Sequence, residues 1–358
     1  VALLYLVMEW SYALVHQGVW DDDCVTRYFN TQDAFAMPEH FVSGWNRPLF
    51  VLLFSLPVQA GKWAIPVLMP LLTLAGAWAL HRALRLRKVQ SAWLIAPLYL
   101  LQSYLFGTSR HALTEPLAAL IICLGFLFVV ERKWLLFALM GALLPLARLE
   151  LTPLMLVWAL PLLGHRKVMT PLLGVGLVAW CLASLLIVGD FLYPFSAFLN
   201  NAEEKSRYGN VPVDHYAMRF IHVVGPVVFL GMMVGLVEKI ATLRKTAIGL
   251  DVFVYLQFAV GIALYSLIAA KFSAGNPAGF LRNLVPLAPL AALIAHAGFT
   301  QAARAVRASG GLPKAVRLRI LITAAIVLLL GGTAFSGLLI ERLDLFLQHP
   351  QLNLFFIA

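Results

Sequence analysis

The sequence predicts an all-α polytopic membrane protein, and three observations carry that prediction. The 358 residues are 61% hydrophobic and 12% charged, with a mean hydropathy of +0.85, whereas a soluble domain runs at roughly 45–50% apolar and about 25% charged. The apolar residues come in repeated stretches close to the roughly 20 that a helix needs to cross a bilayer. The alternating segments of about 10 residues that mark an outer-membrane barrel do not occur.

In chain order the pattern gives about eleven spans, at 1–19, 62–80, 92–107, 113–130, 134–147, 151–163, 168–189, 221–237, 250–270, 281–299 and 320–340. The first runs out at Trp20 into the triplet Asp21, Asp22 and Asp23 and a long loop over 20–61. Within that loop Cys24 to Met37 reads as an amphipathic helix lying on the membrane, with Val25, Tyr28, Phe29 and Phe35 towards lipid and Pro38 as its stop. Pro48 then opens an apolar run of about twelve residues that ends at Gln59, too short to cross. It reads as a juxtamembrane helix in the outer leaflet.

The remaining spans alternate between two kinds of loop. One kind carries Arg82, Arg85, Arg87 and Lys88, then Arg132 and Lys133, Arg166 and Lys167, Lys239, Arg244 and Lys245, and finally Arg304 to Arg319. These loops hold hardly any acid beyond Glu131 and Glu238, and short Lys/Arg-rich loops lie on the cytoplasmic side. The formal charge of +10 is therefore a topology signal, and a nucleic-acid partner is excluded. The other kind, loops 20–61 and 190–220 with short turns between, mixes acids, arginines and histidines and reads as the working face. That face is extracytoplasmic, towards periplasm, exterior or lumen, in a bacterial inner membrane or its equivalent. Residues 1–358 form one transmembrane domain. Cys24, Cys123 and Cys181 make neither a disulfide framework nor a zinc spacing. Val1 stands where a methionine would start a chain, which predicts a short preceding segment.

Chemistry is sought where charge approaches the membrane. Ionisable groups there are costly, and three adjacent carboxylates repel, raising at least one pKa unless a cation compensates. The Asp triplet is thus either a site or a water-side helix boundary. Arg47, in Gly44-Trp45-Asn46-Arg47-Pro48, is either a phosphate or carboxylate ligand or an interfacial anchor. Arg110, His111 and Glu115 fall within one or two helical turns, so they share a cavity or Arg110 and Glu115 form a structural pair. Arg148 and Glu150, flanked by apolar runs, must face each other, a cavity or water. Arg282, at the outer end of the span NLVPLAPL, is suited to clamp a phosphate with its planar fork; otherwise it snorkels. Lys205, Arg207 and His215 have the variety of a substrate loop. HExxH, GxSxG, the P-loop and GxGxxG are absent, which argues against zinc proteases, serine hydrolases and nucleotide-driven pumps.

The stretches WDDDCVTRYF, SGWNRPLFVLLFSLP, RHALTEPLAAL, ARLELTPL and FLRNLVPLAPL together resemble the integral-membrane glycosyltransferases of the GT-C fold. That class includes protein O-mannosyltransferases, lipid A aminoarabinose transferases and dolichol-dependent mannosyltransferases. In those enzymes an acidic pair follows the first span and juxtamembrane helices lead to the second. Here Asp22 and Asp23 match the pair and Asp21 is a third acid, a departure that leaves the base open among the three. The resemblance implies a GT-C-like fold and a polyprenyl-phosphate-linked sugar as donor. The acceptor is lipid-linked, glycan or protein, and its hydroxyl loses its proton to one Asp. Arg282, with Arg148 or Lys205, would stabilise the departing lipid phosphate. It also implies inverting transfer without a cofactor; a divalent cation on Asp21–Asp23 is the competing use of the acids.

A transporter or flippase for a lipid-linked or anionic substrate is the rival reading; it calls for two similar halves with midplane charges. An assembly subunit is a third. For topology, a cysteine placed near Arg307 is expected to resist an impermeant thiol reagent, while one near Gly209 reacts from outside; the reverse labelling would overturn the assignment of the working face.

Overall fold

The structure is a computed structural model that describes residues 1–16, 22–200, 212–242, 249–271 and 280–308, with 313, 316, 319–320 and 322–327. All regular structure among them is helical. The α-helices are α1 (Ala2–His16), α2 (Asp22–Gln32), α3 (Pro48–Phe54), α4 (Ala64–Leu86), α5 (Ile95–Leu100), α6 (Ser103–Thr108), α7 (Glu115–Val130) and α8 (Trp134–Ala147). They continue as α9 (Leu154–His165), α10 (Val175–Val188), α11 (Tyr193–Asn200), α12 (His215–Val224), α13 (Pro226–Thr242), α14 (Leu250–Lys271) and α15 (Ala288–Ala308). Four helical stretches are long and apolar enough to cross a bilayer: Ala64–Leu86, Lys167–Val188, Leu250–Ala270 and Leu281–Ala308. Ala2–Leu14, Glu115–Val130, Trp134–Ala147 and Leu154–His165 are apolar but shorter. Such helices mark a membrane protein.

Several expected spans are interrupted. The stretch 92–107 is not one helix: α5 and α6 are separated at Gln102, whose backbone is extended. The side-chain amide of Gln102 donates to the carbonyls of Leu98 (3.0 Å) and Ala288 (2.8 Å). A broken backbone in an apolar interior persists only when such bonds are remade. The stretch 221–237 is divided between α12 and α13 by Gly225, whose φ of 79° suits glycine. The spans beginning at 168 and 281 each open with a 3-10 segment containing proline, Lys167–Gly174 and Leu281–Leu287. The expected span 320–340 lies largely outside the described residues.

The segment 22–61 folds as two short α-helices, α2 and α3, with 3-10 turns beside them. On α2 and the turn after it, Val25, Phe29 and Phe35 are exposed, whereas Tyr28 departs from expectation and packs beside Phe50, Phe54 and Met69. α3 is seven residues long and cannot span; it presents Leu52 and Leu53 outward while Phe50 and Phe54 stack inward with centroids 4.7 Å apart. The indole of Trp180 on α10 donates to the Val42 carbonyl at 2.8 Å, tying this loop to the bundle.

Helices running to and fro sort the charges to two ends. At one end Glu131 receives Arg82 (2.8 Å) and Lys133 (2.6 Å), and Arg87 pairs with Asp251 at 3.0 Å. The other end gathers the 22–61 segment, the turn before α7, the turn between α8 and α9, and Leu281–Leu287. The position of that last segment depends on α15, which packs closely on α13 through Gly231, Gly235 and Gly298. Small residues four apart let backbones approach in this way. A side chain on Gly298 would collide with the Gly231 carbonyl. Gly298→Leu is therefore expected to cost about 1–3 kcal/mol, read as a lower unfolding temperature in detergent, while Gly164→Ala, with open space around its Cα, leaves that temperature unchanged.

Candidate functional site

Among the described residues, a chain of six charged side chains runs across the end opposite the basic loops. Arg148, in the extended residue that ends α8, is its centre. Its guanidinium lies 2.6 Å from Glu115 at the start of α7, donates to Glu150 at 2.9 and 2.5 Å, and donates to Asn283 Oδ1 at 2.8 Å. Glu150 also receives Arg47 at 3.1 Å. On the other side Arg282 Nε stands 3.7 Å from Glu115, and Arg282 Nη2 bonds Asp23. The order is Asp23–Arg282–Glu115–Arg148–Glu150–Arg47, three anions against three cations.

Each member is placed by a local feature. Glu115 opens α7 with Pro116 beside it in the first turn, where the helix dipole favours an anion. The turn between α8 and α9 is a single 3-10 turn, Leu149–Leu151, which puts Glu150 back onto Arg148. Arg47 precedes Pro48 with φ at 66°, a region costly for a bulky residue. In that conformation it donates to Gly44 at 2.5 Å and reaches Glu150. Leu281–Leu287 packs against α7 and α12, so Arg282 enters the interior instead of pointing along the membrane surface.

The expected residues are therefore partly assembled and partly redistributed. Asp23, Arg47, Glu115, Arg148, Glu150 and Arg282 come together. Arg282 is buried, which overturns the snorkelling alternative, and Arg47 is tied to Glu150 and is no simple anchor. Arg110 does not pair with Glu115. The turn over 109–114 separates α6 from α7, so helical spacing does not relate the two residues. Arg110 instead bonds Glu9 of α1 at 3.0 Å, with both side chains almost fully buried. Ser109 donates to Glu9 at 2.7 Å, Tyr5 donates to Ser109 at 2.9 Å, and the Arg110 guanidinium lies over the Tyr12 ring at 5.0 Å. His111 is buried in the same turn. His215 is buried at the start of α12, its ring edge-on to Tyr216 at 5.1 Å. Asp21, Lys205, Arg207 and the side chain of Asp22 lie outside the described residues.

Three participants were not singled out in the sequence. Glu9 was detectable, since a lone acid inside the first apolar span is a site by default. Asn283 and Arg27 carried no such signal. Arg27 donates to the Ala112 carbonyl at 2.8 Å and stacks on Trp45 at 4.8 Å, clamping the first loop over the turn before α7. Among the described residues, no group of three His, Cys, Asp or Glu side chains could hold a metal ion.

Burial alone would raise the pKa of Glu150, but the Arg148 and Arg47 guanidinium groups outweigh it and hold the carboxyl down at about 2. Burial lowers the pKa of Arg47, opposed by Glu150. Comparisons of this chain with protein-family models, with curated proteins and with solved structures gave no match.

A folded pKa below the unfolded value of 4.5 means that Glu150 stabilises the fold above that pH, and that the contribution is lost as pH falls through about 2. Thermal unfolding in detergent should thus show a loss on the order of a few kcal/mol between those limits. Glu150→Gln is expected to start lower and to flatten that part of the profile.

Proposed function

We propose that this chain is an integral-membrane glycosyltransferase that moves a sugar from a polyprenyl-phosphate donor to an acceptor hydroxyl on the extracytoplasmic face. In this reading the chain has about eleven spans in a GT-C-like arrangement, with the basic loops in the cytoplasm and the six-residue charge chain facing outward. The observation that carries the proposal is the bond between Arg282 and Asp23, which joins residues 259 apart in sequence. It joins the arginine of FLRNLVPL to Asp23, and a carboxylate beside a guanidinium is the pairing that such a reaction would use.

The chemistry follows from their charges. An Asp of the triplet, with Asp22 leading and Asp21 and Asp23 in support, accepts the acceptor's hydroxyl proton as its oxygen bonds the anomeric carbon. The bond from that carbon to the phosphate oxygen breaks, and the electron pair leaves with the polyprenyl phosphate. Arg282, backed by Arg148, takes up the charge that develops on the phosphate. Arg282 keeps its proton, so it needs an anion at every stage; Asp23 serves before the donor arrives and the phosphate competes for that place. Glu115 and Glu150 hold the two guanidinium groups in register. The step consumes neither oxidant nor reductant.

The test uses the purified chain in nanodiscs with a panel of polyprenyl-phosphate sugars, reading release of polyprenyl phosphate and, separately, donor binding. Asp22→Asn is expected to lower turnover by about 10²–10⁴-fold with donor binding retained. Arg282→Ala should weaken donor binding by about ten- to a hundredfold, with Arg282→Lys in between. Undiminished turnover in Asp21→Asn, Asp22→Asn and Asp23→Asn alike would remove the base from the mechanism. Unchanged donor affinity in Arg282→Ala would leave Arg282 as a structural partner of Asp23 and Glu115 alone.

A further inference from the structure

The basic end of the bundle holds two adjoining cavities, of about 340 Å³ and about 510 Å³, that share Arg87, Val89, Thr300 and Arg304. Lys239 of α13 lines the first and is more than nine-tenths buried. Among the described residues its ammonium has no hydrogen-bond or ion-pair partner, and it lies over the face of Tyr255, 5.9 Å from the ring centroid. A cation on a largely buried side chain that opens onto a cavity favours an anion in that cavity. Two acids also line this cavity. Asp251 is neutralised by Arg87 at 3.0 Å, and Glu238, half-buried on the same wall, leaves Lys239 and Arg304 with a surplus of positive charge. The second cavity adds Lys88 and Arg307 and is lined by no acid among the described residues. Two hydroxyls stand there as well, Thr300 between the two cavities and Tyr255 at the wall of the first, their protons given to the carbonyls of His296 and Gly235.

We propose that these joined cavities bind a phosphate group, held by Lys239 and Arg304 with Arg87 and Arg307 at the rim. The surplus charge, the Lys239 ammonium at the cavity wall and the space for a tetrahedral anion all point to that class of ligand. Basic pockets between membrane helices take phospholipid headgroups in this way. The exposed Trp93 on the wall of the second cavity suits a site open to the lipid–water boundary. A soluble phosphate compound has the same recognition chemistry. The site lies at the end opposite the Asp23–Arg282 chain and stands whether or not the chain transfers sugar.

Purified chain in neutral detergent is titrated with phosphatidylglycerol, with inorganic pyrophosphate and with phosphatidylcholine, reading bound lipid by native mass spectrometry and the unfolding temperature. Phosphatidylglycerol or pyrophosphate, and not phosphatidylcholine, should bind and raise the unfolding temperature; which of the two does so names the source. Lys239→Gln and Arg304→Gln should each weaken that binding about tenfold, while Lys239→Arg keeps it. Arg304 is exposed, so its variant tests the site even if Lys239→Gln fails to fold. Equal binding of all three probes, no binding of either phosphate probe, or undiminished binding in Arg304→Gln would overturn the proposal.

Discussion

A guanidinium that is buried and cannot give up its proton must be surrounded by acceptors, and Arg148 is that constraint here. Two carboxylates and an amide oxygen meet it, from the start of α7, from the turn after α8, and from the 3-10 segment ahead of α15. Removing one partner of such a buried pair typically costs about 3–5 kcal/mol, because the remaining charge is stranded. The three elements are thus fixed to one another by charge balance rather than by apolar area alone. The first loop joins the arrangement through Arg47 on Glu150 and Asp23 on Arg282.

A second buried pair fixes the helix that delivers the acids. Glu9 and Arg110, with Ser109 and Tyr5, anchor α1 against the turn that precedes Glu115. The helix α1 and the turn that leads to Glu115 are consequently tied to each other, the latter a few residues before its acid. This arrangement is a pre-organised polar interior, in which fixed charges cost little reorganisation when a charged group arrives. The unusual backbone of Arg47 belongs to the same economy: an unfavourable φ is held because its side chain bonds Gly44 and Glu150.

The two ends of the bundle solve the charge problem differently. At the Arg148 end, six of the described residues alternate as anions and cations whose charges balance. At the basic end several cations have no acidic complement among the described residues, and the helix termini contribute their own polarity. Lys88 and Arg132 occupy left-handed positions just past the ends of α4 and α7, where glycine is usual and a cation suits the helix dipole. A balanced interior holds its own geometry, while a surplus of cations leaves a field that favours anions.

The sequence by itself determined the class of protein, because apolar stretches long enough to cross a bilayer have few other solutions. It also determined the clustering of basic residues in alternate loops, the short α3 and the outward apolar face of α2, since these rest on local spacing and on proline. Six residues singled out for their charge converge, because a charge next to apolar runs must find a partner. Only the tertiary structure decided which partner. Spacing suggested Arg110 with Glu115, yet the intervening turn points Arg110 to Glu9 and leaves Glu115 to Arg148 and Arg282. The breaks at Gln102 and Gly225 were equally invisible, since apolar composition continues through them and the bonds that permit them come from distant carbonyls or from a single glycine's φ. Local pattern fixes where a charge or an apolar face must be; the pairing of charges depends on which helices lie side by side, and that is set by contacts far apart in the chain.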